Sequence, residues 1–235
     1  MAVNELLMFC LRGFAAELSN LLAVTLGPGA TFIDIGAHIG WFSTLAAERI
    51  GAHGRVVAVE PEPTNFAQLM HNLSGALCKV ETHALALGNN DCEVFLEKGE
   101  YSNLHSLRRT NAHDRGWRVR MTTGDLLFAD LADVDYVKID VEGLELGVIL
   151  GMTECLRRWS RVKVLMEFNP ELWQTNELLT AERILGSLGF QVWSIERLPP
   201  WSTRLPRLYR QGSLCAARRP RTCDFLIARE PLEIA

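Results

Sequence analysis

Short apolar runs rich in β-branched residues, each followed by an amphipathic helical stretch, recur along this chain and limit what it can fold into. TFIDIG (31–36) leads into WFSTLAAERIG (41–51), and GRVVAVEP (54–61) leads into PTNFAQLMHNLSG (63–75), where Thr64 is a plausible N-cap. VETHALALG (80–88) is a third run, and VDYVKIDVEG (134–143) a fourth, with LELGVILGMTECLRRW (144–159) behind it. RVKVLMEFNP (161–170), NELLTAERILGSLG (176–189), FQVWSIE (190–196) and CDFLIARE (223–230) complete the series. Strands separated by helices of this length imply a mostly parallel sheet with helices on both faces. Right-handed crossovers then place ligands at the C-terminal strand ends, near the point where strand order reverses. The expectation is an α/β, Rossmann-like domain of seven strands. Its last strand is expected to be antiparallel, because the segment before it (197–222) has no clear helical crossover.

Two runs break the rhythm. CEVFLE (92–97) and WRVRMTT (117–123) read as a strand pair inserted at about residues 92–123, around a polar loop. At the N-terminus, Leu7, Leu11, Phe14, Leu18, Leu21 and Leu22 recur at helical spacing, while Arg12 and Glu17 interrupt the apolar run. The reading is a helical extension over 1–29, ending near Gly27-Pro28-Gly29 and packed on a single domain over 30–235.

Composition narrows the class. The 235 residues suffice for one domain with a full core. A formal charge of −4 lacks the basic surplus of a general nucleic-acid binder. Six scattered cysteines (Cys10, Cys78, Cys92, Cys155, Cys215, Cys223), with no C-x-x-C pair, suggest reduced thiols in the cytoplasm.

The strand-to-helix turn DIGAHIG carries the first chemical signal. Glycines at 36 and 40 would let a ligand approach bare backbone, and a helix start offers free N–H groups to an anion. A dinucleotide fingerprint needs G-x-G-x-x-G, and Asp34 and Ile39 occupy two of those three glycine positions. What remains is Asp-x-Gly-x-x-x-Gly, followed by an acid, Glu60, at the end of the second strand. One carboxylate there can accept from both hydroxyls of a ribose. A cofactor with a ribose and an amino-acid head but no pyrophosphate is S-adenosylmethionine (SAM), whose ammonium and carboxylate would meet Asp34 and the backbone near Gly36. The plainer alternative is a turn whose glycines serve packing alone.

Taken in order, FIDIGAHIGWFSTLAA, RVVAVEPEPTNFAQLMHN, ALALGNN, YVKIDVEGLELGVILGM and VLMEFNP resemble the FkbM family of SAM-dependent methyltransferases over roughly residues 31–189. His38 departs from the family's more usual Asn, and the Arg-rich segment before the last strand has no counterpart in it. The resemblance implies a class I methyltransferase fold and methyl transfer to a hydroxyl oxygen of a sugar, polyketide or other small metabolite in natural product biosynthesis. It implies a cofactor site at Asp34, Gly36, Ala37, His38, Gly40, Glu60, Pro61 and Asn65.

KIDVEGLE places Lys138, Asp140, Glu142 and Glu145 around the end of the fourth strand, facing the transfer site. Methyl transfer needs the acceptor oxygen in line and its proton removed, so Asp140 is the first candidate base and Glu142 the second. Glu142 could instead brace the next helix. Glu167, at the fifth strand end, lies beside them, and His105 in SNLHSL could reach a substrate as a base or be an ordinary loop residue. Asp140, Glu167 and Asn169 are hard oxygen donors that would suit Mg2+, against the plainer reading of a metal-free hydrogen-bond network. The segment RLPPWSTRLPRLYRQGSLCAARRPR (197–221), with Trp201 and Tyr209 among its arginines, could form a lid or a solvated surface. Competing functions are a non-catalytic module of the same fold, an RNA methyltransferase drawing on those arginines, and an NAD-dependent oxidoreductase. A small hydroxyl-bearing acceptor is expected as the partner rather than nucleic acid or membrane, with homodimerisation left open.

Overall fold

The computed structural model describes residues 16–97, 106–108 (as a strand only), 116–169, 171–199, 202–212, 214 and 223–232. Its central strands are β1 (Thr31–Ile35), β2 (Arg55–Val59), β3 (Lys79–His83), β8 (Tyr136–Ile139) and β9 (Lys163–Phe168). These five run parallel to one another in the order β3-β2-β1-β8-β9. In β1, β2 and β8 nearly every residue is buried, as expected of strands covered on both faces. Alternation sorts β1 between two cores. Phe32 joins Val56, Ala58 and Leu165 against α1 (Ala16–Thr25), α2 (Trp41–Ile50) and α3 (Pro63–Leu73). Ile33 and Ile35 join Val57, Val137 and Ile139 against α5 (Glu145–Gly151), α6 (Thr153–Arg158) and α7 (Thr175–Ser187). The short α4 (Gly124–Leu127) precedes β8.

Beyond β9 the sheet continues with β12 (Cys223–Ala228), β10 (Gln191–Ile195) and β11 (Leu208–Gln211). The final strand is antiparallel to β9, as its preceding segment predicts. An eighth strand adds to the expected seven. Residues 208–211, inside the Arg-rich segment, pair with β10 and extend the edge. No apolar alternation marks them: Leu208 and Gln211 are half-buried, and Tyr209 and Arg210 are exposed.

The insertion is larger than a strand pair. β5 (Cys92–Glu97) and β7 (Gly116–Thr122) do pair antiparallel. β4 (Ala86–Leu87) and β6 (Ser106–Arg108) flank them, giving a separate sheet ordered β4-β7-β5-β6. The run 80–88 therefore supplies two strands, β3 for one sheet and β4 for the other. Helix α3 also starts differently from the expectation: Glu62, not Thr64, is its N-cap, accepting from the Asn65 N–H at 2.5 Å, with Pro63 in the first turn. Among the described residues, no helix is long and apolar enough to cross a membrane.

The chain runs outward through β1, β2 and β3, then returns to place β8 on the other side of β1. Strand order thus reverses between β1 and β8, where ligands bind in open α/β sheets. The two strand ends meet tightly. A Cβ at Gly36 (φ 74°) would lie 1.8 Å from the Asp140 carbonyl oxygen. Gly36→Ala should therefore cost about 3 kcal/mol or more in urea denaturation. Gly186→Ala, in α7 with open space around it, should be neutral or stabilising by about 1 kcal/mol.

Candidate active site

The turn after β1 is held by the end of β2. Gly36 and Ala37 both donate their N–H groups to the Val59 carbonyl at 3.0 Å, and the His38 N–H donates to Glu60 Oε2 at 2.8 Å. Gly36, His38 and Gly40 all have positive φ, an unusual conformation for His38. At Gly40 a Cβ would meet Leu69 Cδ1 at 2.6 Å. Both glycines thus make room for neighbouring protein, the Asp140 backbone and the Leu69 side chain, a demand that the motif spacing did not announce.

Asp34 requires a correction. Its side chain is fully buried: Oδ2 accepts from Ser43 Oγ at 2.6 Å, and Oδ1 lies 3.5 Å from Lys138 Nζ. It offers no face to a ligand's ammonium. It ties β1 to α2 and to β8 instead.

Glu60 sits at the end of β2, 6% exposed. Its Oε1 accepts from the Glu62 N–H at 2.9 Å and its Oε2 from His38, with the Asn65 side chain as a further donor. Burial nevertheless pushes its pKa up to about 7, since these donors offset only part of the lost solvation. An ionised carboxylate has about four acceptor positions. Glu60 is therefore a desolvated acid with about one of those acceptor positions left, which a ribose hydroxyl would fill. Asn65 and Glu62 brace it, and Pro61 lies beside it in the turn.

The second half of the site gathers at the ends of β8, β9 and β12. Asp140, Glu142 and Glu167 bring carboxylate oxygens within 4.8 Å of one another. The buried Lys138 ammonium lies 3.2 Å from Asp140 Oδ2. Burial works against ionisation of Asp140, but this cation and hydrogen bonds from Glu167 and Lys138 outweigh it and hold its pKa below the ordinary range. Burial and the Asp140 charge push Glu167 well above its ordinary range, so the pair shares one proton, carried by Glu167. Glu142, in a left-handed backbone conformation (φ 52°) before Gly143 (φ 93°), is raised to about 7 by burial and then by Asp140 and Glu145. Glu145 is buried and accepts from the Gly143 N–H at 3.0 Å, so Glu145 rather than Glu142 braces the turn.

Asn169 Oδ1 accepts from the Glu171 N–H at 3.1 Å and so shapes the next turn, while Glu142 joins Asp140 and Glu167 in the carboxylate triplet. His105 lies outside the described residues. Two side chains that motif spacing left out, Ser43 and Asp224, belong to the site, and Lys138, placed there by its motif without a role, lies at its centre. Asp224 stands opposite Glu167 in the β12–β9 register, and burial, then the nearby Glu17, raises its pKa to about 7. A lysine between Val137 and Ile139 in a buried strand is a readable signal, because such a charge needs partners. Asp224 carried none, since its partner lies across a strand pairing of long sequence separation.

A sheet of this order with acids at the ends of its first, second, fourth and fifth parallel strands defines a class I methyltransferase. The methyltransferase FkbM domain model matches residues 34–192, and the chain belongs to that family of SAM-dependent enzymes. It is 28% identical over 212 positions to Methyltransferase 1 of Beauveria bassiana (strain ARSEF 2860), covering 77% of this chain and 80% of that protein. The O-methyltransferase TomG of Streptomyces achromogenes, solved in complex with SAM, shares the fold with a TM-score of 0.51 at 14% identity. That alignment covers 91% of this chain and 79% of TomG. The family assignment sets aside the oxidoreductase alternative.

Groups with raised acid pKa values make folding favour the protonated state, so stability should fall as pH rises from about 5 to about 7. Urea titrations across that window check the slope. Glu167→Gln keeps a donor toward Asp140 and removes one such acid, so its stability relative to wild type should rise with pH.

Proposed function

We propose that this chain methylates a hydroxyl oxygen of a small metabolite, using SAM. The observation carrying this reading is the Asp140–Glu142–Glu167 triplet at the strand reversal, with unequal protonation of its members. The cofactor supplies an electrophilic methyl group. Glu60 would accept from a ribose hydroxyl of the cofactor, and Asn65, Pro61 and the backbone of Gly36, Ala37, His38 and Gly40 would shape the surrounding wall.

Deprotonating the acceptor falls to Glu142. Its pKa near 7 matches the task of a general base at neutral pH. Asp140, first in the sequence-based ranking, already receives Lys138 and the Glu167 proton, so it orients the acceptor side rather than taking a proton. Glu167, protonated, keeps Asp140 in place. With Asp224 and Glu17 nearby, this end of the sheet is acid-rich. That charge supports an acceptor bearing hydroxyl or ammonium donors and disfavours the phosphates of RNA. Cys78, Cys92 and Cys155 are not in disulfides, which suits the cytoplasm as the compartment.

Two experiments test the proposal. Glu60→Ala should weaken SAM binding by about tenfold or more in calorimetry while the protein stays folded, since hydrogen bonds to a charged group are worth about 1.5–3 kcal/mol. Unchanged affinity removes the ribose assignment. Wild-type transfer, followed by mass spectrometry on a panel of hydroxylated metabolites, should rise with pH through about 7. Glu142→Gln should lose about 100-fold or more in kcat, together with that pH dependence. A variant with wild-type turnover would show that the base is elsewhere.

A further inference from the structure

Lys138 is 5% exposed and sits within β8, between the two halves of the site. Its ammonium donates to the Gly36 carbonyl at 3.0 Å, approaches Asp34 Oδ1 at 3.5 Å and Asp140 Oδ2 at 3.2 Å, and lies 5.3 Å from the centre of the Phe42 ring. Burying an ammonium is costly, and here two carboxylates, a carbonyl and an aromatic face share the compensation. Burial alone would lower the lysine pKa, but Asp140 and Asp34 outweigh it and keep the group cationic. One buried cation thus contacts the turn after β1, the first helix behind it and the acceptor-side acid.

We propose that Lys138 is a positioning residue that makes the cofactor turn and the acceptor-side carboxylates one unit, by fixing the Gly36 carbonyl and Asp140 with the same ammonium. This rests on the methyl-transfer reading above and adds to it a physical link between cofactor binding and the state of the acceptor side. The Gly36 carbonyl belongs to the turn that walls the cofactor. Asp140 faces Lys138 on its own strand, Glu167 from β9, Asp224 from β12, Glu142 and Glu145 from the following turn and helix, and His38 from the β1 turn. Those neighbours are mostly acids. Without Lys138 the Asp140 carboxylate would have like charges around it and would hold a proton more readily. The Gly36 carbonyl would lose its donor at the same time. Both halves would be altered by a change that touches neither cofactor nor acceptor.

The test uses the full chain and three measurements: melting temperature, calorimetric affinity for SAM and for its demethylated product S-adenosylhomocysteine, and the Asp140 carboxyl titration by 13C NMR. Lys138→Met should weaken both ligands by about tenfold or more and raise the Asp140 titration midpoint by about one unit or more. Lys138→Arg, which keeps the charge, should restore the low midpoint. A lysine that merely braces the fold would lower the melting temperature, leave Asp140 where it was, and leave ligand affinity within about twofold; that outcome overturns the proposal. If Lys138→Met does not fold, Lys138→Met/Asp34→Asn removes the stranded carboxylate with the cation, and the same outcomes decide. Wild-type protein that binds neither ligand would overturn this inference together with the methyl-transfer reading. Ligand binding by wild type with an unmoved Asp140 in the variant overturns the Lys138 role alone.

Discussion

The contact between the ends of β1 and β8 sets the geometry of everything around it. Two parallel strands approach so closely after Ile35 and Ile139 that the Asp140 carbonyl fills the space a side chain at position 36 would need. Only glycine fits there, and only a left-handed turn leads the chain from there into α2. The same approach brings the Lys138 ammonium within 3.0 Å of the Gly36 carbonyl and 3.2 Å of Asp140 Oδ2. A mutation at this contact therefore reaches the site as well as the packing.

The acids at the strand ends show how a cluster of like groups stays folded. Three carboxyl groups within 4.8 Å of one another, with Asp224 feeling the charge of one of them, cannot all be charged in a dry environment. The protein resolves this unequally: one acid pairs with a cation, one keeps its proton, and two lie near neutrality, ready to gain or lose charge with small changes in surroundings. Unequal solutions of this kind separate acid and base roles among chemically similar groups.

Much of this was legible in the sequence because its signals are local. The alternation of apolar runs and helices fixed the central sheet, and Glu60 and the KIDVEG run announced the strand ends that carry chemistry. The glycines were legible but their packing demand was not, because the atom that crowds position 36 comes from residue 140. Asp34 looked available because motif spacing says nothing of Ser43 and Lys138, which enclose it. β11 escapes a sequence reading because its four residues, Leu208 to Gln211, lie at the sheet edge and carry no apolar alternation. Asp224 and Glu17 reached the site through strand pairing and helix packing, which no sequence window contains.

Helix α1 is fastened to the far edge of the molecule: the Asn20 amide donates to the carbonyls of Ser202 at 2.7 Å and Arg204 at 2.9 Å, in the segment leading to β11. Segments 182 and 184 positions apart in the chain are therefore coupled through one amide side chain. A displacement of either would strain or break these two bonds, so the N-terminal helix and the approach to the edge strand keep their places together.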